Sequence, residues 1–411
     1  MRYIIHKNVG FFYPPDGPLA AYISPFAASL DAQGYNPKTW QKQILVAAGF
    51  SQWLKRTRTN VSDIDTEHAV RYLRCRARRV RLWSGDLAAL ERFIAFLRSE
   101  NVIPAAKPPV TKLTPVERYV QAYEQYLLDV RGLAPTTIVS YMPFVRNFLT
   151  KQFGPGRVSI PKLRATDVIQ FVQEQAPKLH VKRARGMTTA LRSLLQYASY
   201  RGDATSHLQA AVPTVANWSM QSIPRAIAAD QVRELLATID RSSARGRRNY
   251  AILLLLARLG LRASEVAFLE LDDIDWNTGT LIVRGVGDGD RELPLPEEVG
   301  NAVAAYLRYG RPDNTSRRLF LRTRAPITGF RGHGAIGTIV RHSIVRAGIA
   351  SPTKGAHQFR HGLATEMLRC GASLSEIGEL LRHRRPRTTT IYAKVHLDAL
   401  RTLAVPWPGG V

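Results

Sequence analysis

Five residues in the last part of the chain carry side chains suited to chemistry at an anionic centre: Arg262, His357, Arg360, His383 and Tyr392. Arginine presents a rigid fork of donors that grips two phosphate oxygens at once. Histidine donates hydrogen bonds or moves protons near neutral pH. A tyrosine phenol titrates near about 10 in water, so it needs help from its surroundings to become a nucleophile. Taken singly, each of the five could be core or surface filler. Their settings argue otherwise. Arg262 stands in Gly260-Leu-Arg262-Ala-Ser-Glu265, where a glycine breaks one helical pattern and Ala263 restarts another. It falls at a helix start, beside backbone N–H groups that lack intrahelical partners. Glu265, three positions on, shares its face and is placed to hold the guanidinium. His357 and Arg360 are likewise three apart in His357-Gln-Phe-Arg360-His361, and Tyr392 is the ninth residue after His383.

The elements that must position these groups are mostly helical. The stretches AADQVRELLATID from Ala228 and RRNYAILLLLARLGLRASEVAFLELDDI repeat apolar residues at helical spacing. TLIVRGVGDGDRELPLP alternates around a Gly/Asp turn and predicts a β-hairpin. The turn accounts for GVGDG better than a phosphate cradle does. A helix opens at His357 and stops at Gly371, LSEIGELLRH makes another ending at His383, and Thr390-Ile-Tyr392 starts a last short one. The fold class is therefore mainly α, with a small β-hairpin or sheet in the catalytic part.

The chain has 411 residues, enough for two to four domains with sizeable cores. Its 58 Lys+Arg against 32 Asp+Glu leave a net charge of +26, which suits a polyanion, above all nucleic acid. Proline-rich linkers at Pro104–Pro115 and Val212–Pro224 suggest three parts: 1–108 and 112–215, two helical DNA-binding modules, and 223–411, which carries the chemistry. Segments 1–110, 111–222 and 223–411 carry +8, +8 and +10, so a single basic tail is excluded and each part is expected to touch phosphate. The longest clearly apolar run, Ala251–Ala257, is far too short to span a bilayer. The first residues show no secretory pattern, and two cysteines, Cys75 and Cys370, make neither a disulfide framework nor a zinc cluster. A cytoplasmic, nucleoid-associated protein without membrane or cofactor is expected.

The first two parts look like copies of one design. Gly34-Tyr-Asn-Pro37-Lys-Thr39 matches Gly132-Leu-Ala-Pro135-Thr-Thr137, and Phe50 and Phe148 each follow eleven residues later. Thr66-Glu67 and Thr166-Asp167 then read as helix caps with first-turn carboxylates. Arg74–Arg81 and Lys182–Arg185 read as basic clusters just ahead of each last helix. An internal duplication of a small helical module is predicted.

The series GLRASE, HQFR, LRH and Tyr392 resembles the catalytic signature of the tyrosine recombinase (phage integrase) family, over about residues 225–400. The helical domain at 112–210 is similar to that family's core-binding domain, as in TTIVSYMPFVRNFL, and residues 1–108 would be a second core-binding-like module or an arm-binding one. The resemblance implies DNA cleavage by Tyr392 through a 3′-phosphotyrosyl bond, without metal or ATP. Arg262 and Arg360 would clamp the non-bridging oxygens, His357 and His383 would donate hydrogen bonds, and nearby cations would favour the phenolate. Glu265 would orient Arg262, His361 would be structural, and Lys354 is balanced between a phosphate contact and solvation. Two departures stand out. Val286 occupies the place of the family's usual hairpin lysine, and Arg382 stands where glycine is common before the histidine, either as a further phosphate contact or as an exposed helix-end cation. The resemblance implies double-stranded DNA as partner, a dimer or tetramer on that DNA, sibling recombinases, and exchange of the apolar segment Leu397–Val405 between protomers. Integration, excision or transposition of a mobile element is the expected role. A chromosome or plasmid dimer resolvase, and a DNA-binding relative with weakened catalysis, are the alternatives.

Overall fold

The computed structural model describes residues 3–6, 9–11, 14–105, 113–203, 208–216, 226–284, 289–351 and 353–395. Two compact units result: Met1–Ala106 together with Ser222–Val411, and Lys107–Gln221. The buried side chains gather in separate clusters, one between Ile5 and Ile103, one between Val116 and Val212, and one between Ile227 and Phe359.

The first stretch begins with a short antiparallel pair, β1 (Tyr3–His6) and β2 (Val9–Phe11), which helical patterning does not reveal. Four helices follow: α1 (Ile23–Ala32), α2 (Pro37–Thr57), α3 (Thr66–Ala77) and α4 (Asp86–Ser99). The Asn36 side chain accepts from Lys38 N at 3.0 Å, and Pro37 follows at the first helical position, so α2 is started by both of its expected devices. Trp40, Ile44, Ala47, Phe50 and Leu54 then recur every three or four residues and form its buried face.

The second unit repeats the count with α5 (Pro115–Asp129), α6 (Pro135–Phe153), α7 (Ala165–Gln175) and α8 (Val181–Tyr200). Pro37 and Pro135 both open a helix, and Phe50 and Phe148 are both fully buried. The caps differ from the sequence expectation. Asp65, with an extended backbone, caps α3 by accepting from His68 N at 3.0 Å, so Thr66 is already inside the helix. Thr166 is likewise inside α7, where Asp167 reaches back to Arg164 N at 2.8 Å. Lys182–Arg185 lies in the first turns of α8, because His180 opens that helix; only Arg74–Arg81 precedes its last helix, at the end of α3 and beyond.

The remaining chain builds α9 (Ala229–Ala237), α10 (Ala244–Arg258) and α11 (Ala263–Phe268). A three-stranded antiparallel sheet follows, in the order β3 (Ile274–Asp275), β4 (Thr280–Val283), β5 (Arg291–Pro294). Then come α12 (Glu297–Tyr309), α13 (His333–Arg346), α14 (His357–Arg369) and α15 (Leu374–Leu380). Ala251–Leu256 is buried without interruption, so α10 is enclosed all round and serves as the axis against which α9, α12, α13 and α14 pack. Leu281 faces Leu293 across the β4–β5 pair, which fixes the hairpin register. Among the described residues no helix is long and apolar enough to cross a membrane.

Candidate active site

Arg262 is the cap residue of α11, with φ −73° and ψ 149°. Glu265 Oε2 accepts from Arg262 N at 2.7 Å and Oε1 accepts from its Nη1 at 2.6 Å, so one carboxylate fixes both the helix start and the guanidinium. Arg262 Nη2 donates to Arg382 O at 3.1 Å. Arg360 lies on α14 and is 4% exposed; its Nη1 donates to Gly260 O at 2.7 Å and its Nη2 to Leu381 O. These bonds tie α14 to the loop before α11 and to the end of α15. Gly260 has φ +57°, and a Cβ there would meet Leu381 Cδ2 at 2.7 Å, so both conformation and crowding require glycine.

Helix α15 ends at Leu380, short of the expected His383, because Arg382 turns the chain with φ +54°. Two short helices, Pro386–Thr388 and Thr390–Val395, then carry the chain back over α14 and α15. Tyr392 is thereby seated in a small apolar cluster with Ala364, Leu368, Ile377 and Leu381. Its Oη lies 2.9 Å from His361 Nδ1. The His383 ring stacks near-parallel to the phenol at 6.4 Å between centroids, and His383 Nδ1 is held by Thr389 Oγ1 at 2.7 Å. His357 is exposed at the first position of α14, its ring 6.2 Å from that of His361.

Burial pushes the Tyr392 phenol above its ordinary value, and Arg360 opposes this only in part. The expectation that surrounding cations favour the phenolate is therefore reversed in this arrangement: enclosure in the apolar cluster outweighs the guanidinium. Burial, with repulsion from Arg360, Arg262, His361 and Arg382, lowers His383 to about 4, so it is neutral at physiological pH. His361 is lowered by burial and by His357 and Arg360. Burial also lowers Arg360 to about 10, helped by Arg262 and Arg382. Glu265 runs the other way: burial would raise it, but Arg382 and the hydrogen bonds and charge of Arg262 hold it below the ordinary carboxylate range.

An open cleft in front of α11 and α15 is lined by Arg262, Arg284, Arg291, Arg318, Arg382 and His383, among others. Arg284 is steadied by Glu270 Oε2 at 3.1 Å and Asp273 Oδ1 at 2.8 Å. Guanidiniums steadied by carboxylates in this way, Arg262 by Glu265, Arg284 by Glu270 and Asp273, and Arg318 by Glu270, are suited to binding the oxygens of a phosphate backbone.

Of the residues singled out in the sequence, Arg262, Arg360, His383 and Tyr392 are brought together, and His357 lies one helical turn from His361. Glu265 holds Arg262 as expected from their spacing. His361, read as structural, is the hydrogen-bond partner of the tyrosine; its adjacency to Arg360 was the available signal. Arg382 is not an exposed helix-end cation: its side chain is 8% exposed and pairs with Glu265 Oε2 at 2.9 Å. Lys354 is exposed. Val286 and Leu397–Val405 lie outside the described residues.

The family model for the phage integrase family matches residues 225–398. A Sinorhizobium fredii protein named as an integrase/recombinase, y4rA, is 56% identical over 409 residues, covering 100% of this chain and 99% of its own. The tyrosine recombinase XerD of Mycobacterium tuberculosis is 31% identical over 310 residues, covering 71% of this chain and 96% of its own. This chain belongs to the tyrosine recombinase (phage integrase) family. Tyrosine recombinases cleave and rejoin DNA, and the chain is an enzyme of site-specific DNA recombination. Solved tyrosine recombinases share its fold. The XerH site-specific recombinase bound to a palindromic difH substrate superposes with TM-score 0.56 at 15% identity, covering 99% of both chains. The Tn1549 transposon integrase in complex with a circular intermediate DNA gives TM-score 0.53 at 18% identity, covering 70% of this chain and 99% of its own.

Proposed function

We propose that Tyr392 of this recombinase attacks the scissile phosphorus, forming a 3′-phosphotyrosyl bond and releasing a 5′-hydroxyl, in the service of integration, excision or transposition of a mobile element. The observation that carries this reading is the seating of Tyr392, on the same chain, beside Arg360 and between the rings of His361 and His383. A phosphodiester in mid-displacement gains negative charge on its non-bridging oxygens. Arg262 and Arg360 are the groups to bind them. A guanidinium has five N–H donors, and Arg360 commits one each to Gly260 O and Leu381 O, which leaves donors for substrate. His383, neutral and fixed through Nδ1, has Nε2 to offer; His357 stands at the open end of α14. The tyrosyl ester keeps the phosphodiester energy, so rejoining needs neither ATP nor a metal.

Residues 1–108 and 112–215 are read as DNA-contacting modules ahead of a catalytic domain at 223–411. The mobile-element role is supported by two such basic modules, each with its own buried cluster, and by the full-length likeness to a protein named as an integrase/recombinase. Two protomers on one site and four at a paired site, with or without sibling recombinases, would complete the exchange. The test is a nicked suicide substrate cut from the DNA flanking the gene. A covalent adduct is expected with the native chain and none with Tyr392→Phe, which should still bind. Cleavage of a chromosomal or plasmid dimer-resolution site, with no cleavage of the flanking DNA, would replace the mobile-element role by that of a resolvase.

A further inference from the structure

Resting on the assignment of Tyr392 as nucleophile, we propose that His361 is a further catalytic residue, which takes the phenolic proton through Nδ1 as Tyr392 Oη attacks phosphorus. His361 Nδ1 stands 2.9 Å from Tyr392 Oη, within reach of direct transfer. The two rings meet edge-on at 5.7 Å and 60°, which leaves the phenol oxygen at the imidazole edge. The other candidates are placed differently. His383 meets the flat of the Tyr392 ring, 9° from parallel, and gives its Nδ1 to Thr389. His357 sits a full turn earlier on α14 and is exposed. His361 directly follows Arg360, whose guanidinium is anchored to two backbone carbonyls, so proton acceptor and phosphate clamp move as one body on α14. The phenol needs such a partner: in its apolar cluster, burial holds it protonated, and Arg360 alone does not reverse this. Burial and the neighbouring His357 and Arg360 keep His361 neutral and able to accept.

The step balances. The Oη–P bond forms, the P–O5′ bond breaks with its electron pair on O5′, and the phenolic proton passes to His361 Nδ1. The departing 5′-oxygen takes one proton from water, so the hydroxyl product and the proton on His361 leave no net change once His361 returns its proton to solvent.

The test uses the full chain with two suicide oligonucleotides, one normal and one with sulfur bridging at the 5′ position of the scissile phosphate. Sulfur departs without protonation, so that substrate reports only on the nucleophile's side. His361→Ala and His361→Gln should slow single-turnover cleavage of both substrates by about 10²–10⁴-fold, with DNA affinity unchanged. Added imidazole should partly restore His361→Ala, which a merely structural loss does not allow. Native rates in both variants, or slow cleavage of the oxygen substrate with full speed on the sulfur one, would overturn the proposal. An adduct persisting in Tyr392→Phe would instead remove the nucleophile assignment itself.

Discussion

Glu265 Oε2 accepts from Arg382 Nη2 at 2.9 Å, deep in the wall of the cleft, where the Arg382 side chain is 8% exposed. The other carboxylate oxygen holds Arg262, so one acid governs two guanidiniums, one turned inward and one 40% exposed to the cleft.

Glu265→Gln should therefore be costly on two counts. It leaves Arg382 buried without a counter-charge, a loss of about 3–5 kcal/mol for a broken buried pair, and it frees Arg262 from its orientation. Urea unfolding would show the first effect and single-turnover cleavage the second. The pH dependence has a definite sign. The Glu265 carboxyl is held below its ordinary 4.5, so its stabilisation is full above that value and fades as pH falls through the lowered one. The stability gap between the native chain and the variant should narrow in acid; a gap that widens would contradict the pairing.

Arg382→Ala and Arg382→Gly should differ. Both remove one of the two guanidiniums that pair with Glu265. Glycine alone also relieves the positive φ of +54°, a left-handed conformation costing about 1–2 kcal/mol for a residue with a Cβ. The glycine variant should be the more stable by about that amount in paired melts, and equal stabilities would mean that the turn carries no strain.

Gly260→Ala should destabilise the chain by about 1–2 kcal/mol from backbone conformation alone, with crowding against Leu381 in addition. Because Gly260 O is an acceptor for Arg360, cleavage should fall more than DNA binding does. Gel-shift affinity and adduct yield measured on the same preparation separate the two.

His383 should make the fold acid-sensitive well above the carboxylate range. Its folded value is about 4 against an ordinary 6.5, so in that interval the unfolded chain binds the extra proton. Its contribution is complete above about 6.5 and disappears as pH falls towards 4. Thermal melts at pH 7.5 and 5 should show a larger drop for the native chain than for His383→Gln, and parallel drops would place the acid sensitivity elsewhere.

Much of this site is legible before folding because its key spacings are local. Arg262 and Glu265 lie within one helical turn, and the Gly260 break that separates α10 from α11 is written in the sequence. His357, Arg360 and His361 share a helix start. What pattern does not show is which of several neighbouring groups meets a partner brought from elsewhere. His361 against Tyr392 and Arg382 against Glu265 span 31 and 117 positions, and each depends on how α15 turns back at a residue with positive φ. The β1–β2 pair and the cap at Asp65 escaped for a related reason: short strands and cap choice are settled by one or two hydrogen bonds, not by a repeating apolar face. Burial of the phenol was equally invisible, since the cluster enclosing Tyr392 is assembled from α14, α15 and the last turn together.

The two acceptors of Arg360 are main-chain carbonyls, at Gly260 and Leu381. Substitution replaces side chains and leaves carbonyls in place, so this anchorage tolerates changes that keep the local backbone, Gly260 with its positive φ being the exception. The guanidinium can stay where it is while the surrounding surface is rewritten to read a new target sequence. With Arg360 in its proposed role, an enzyme built this way can change its DNA address without re-inventing its chemistry.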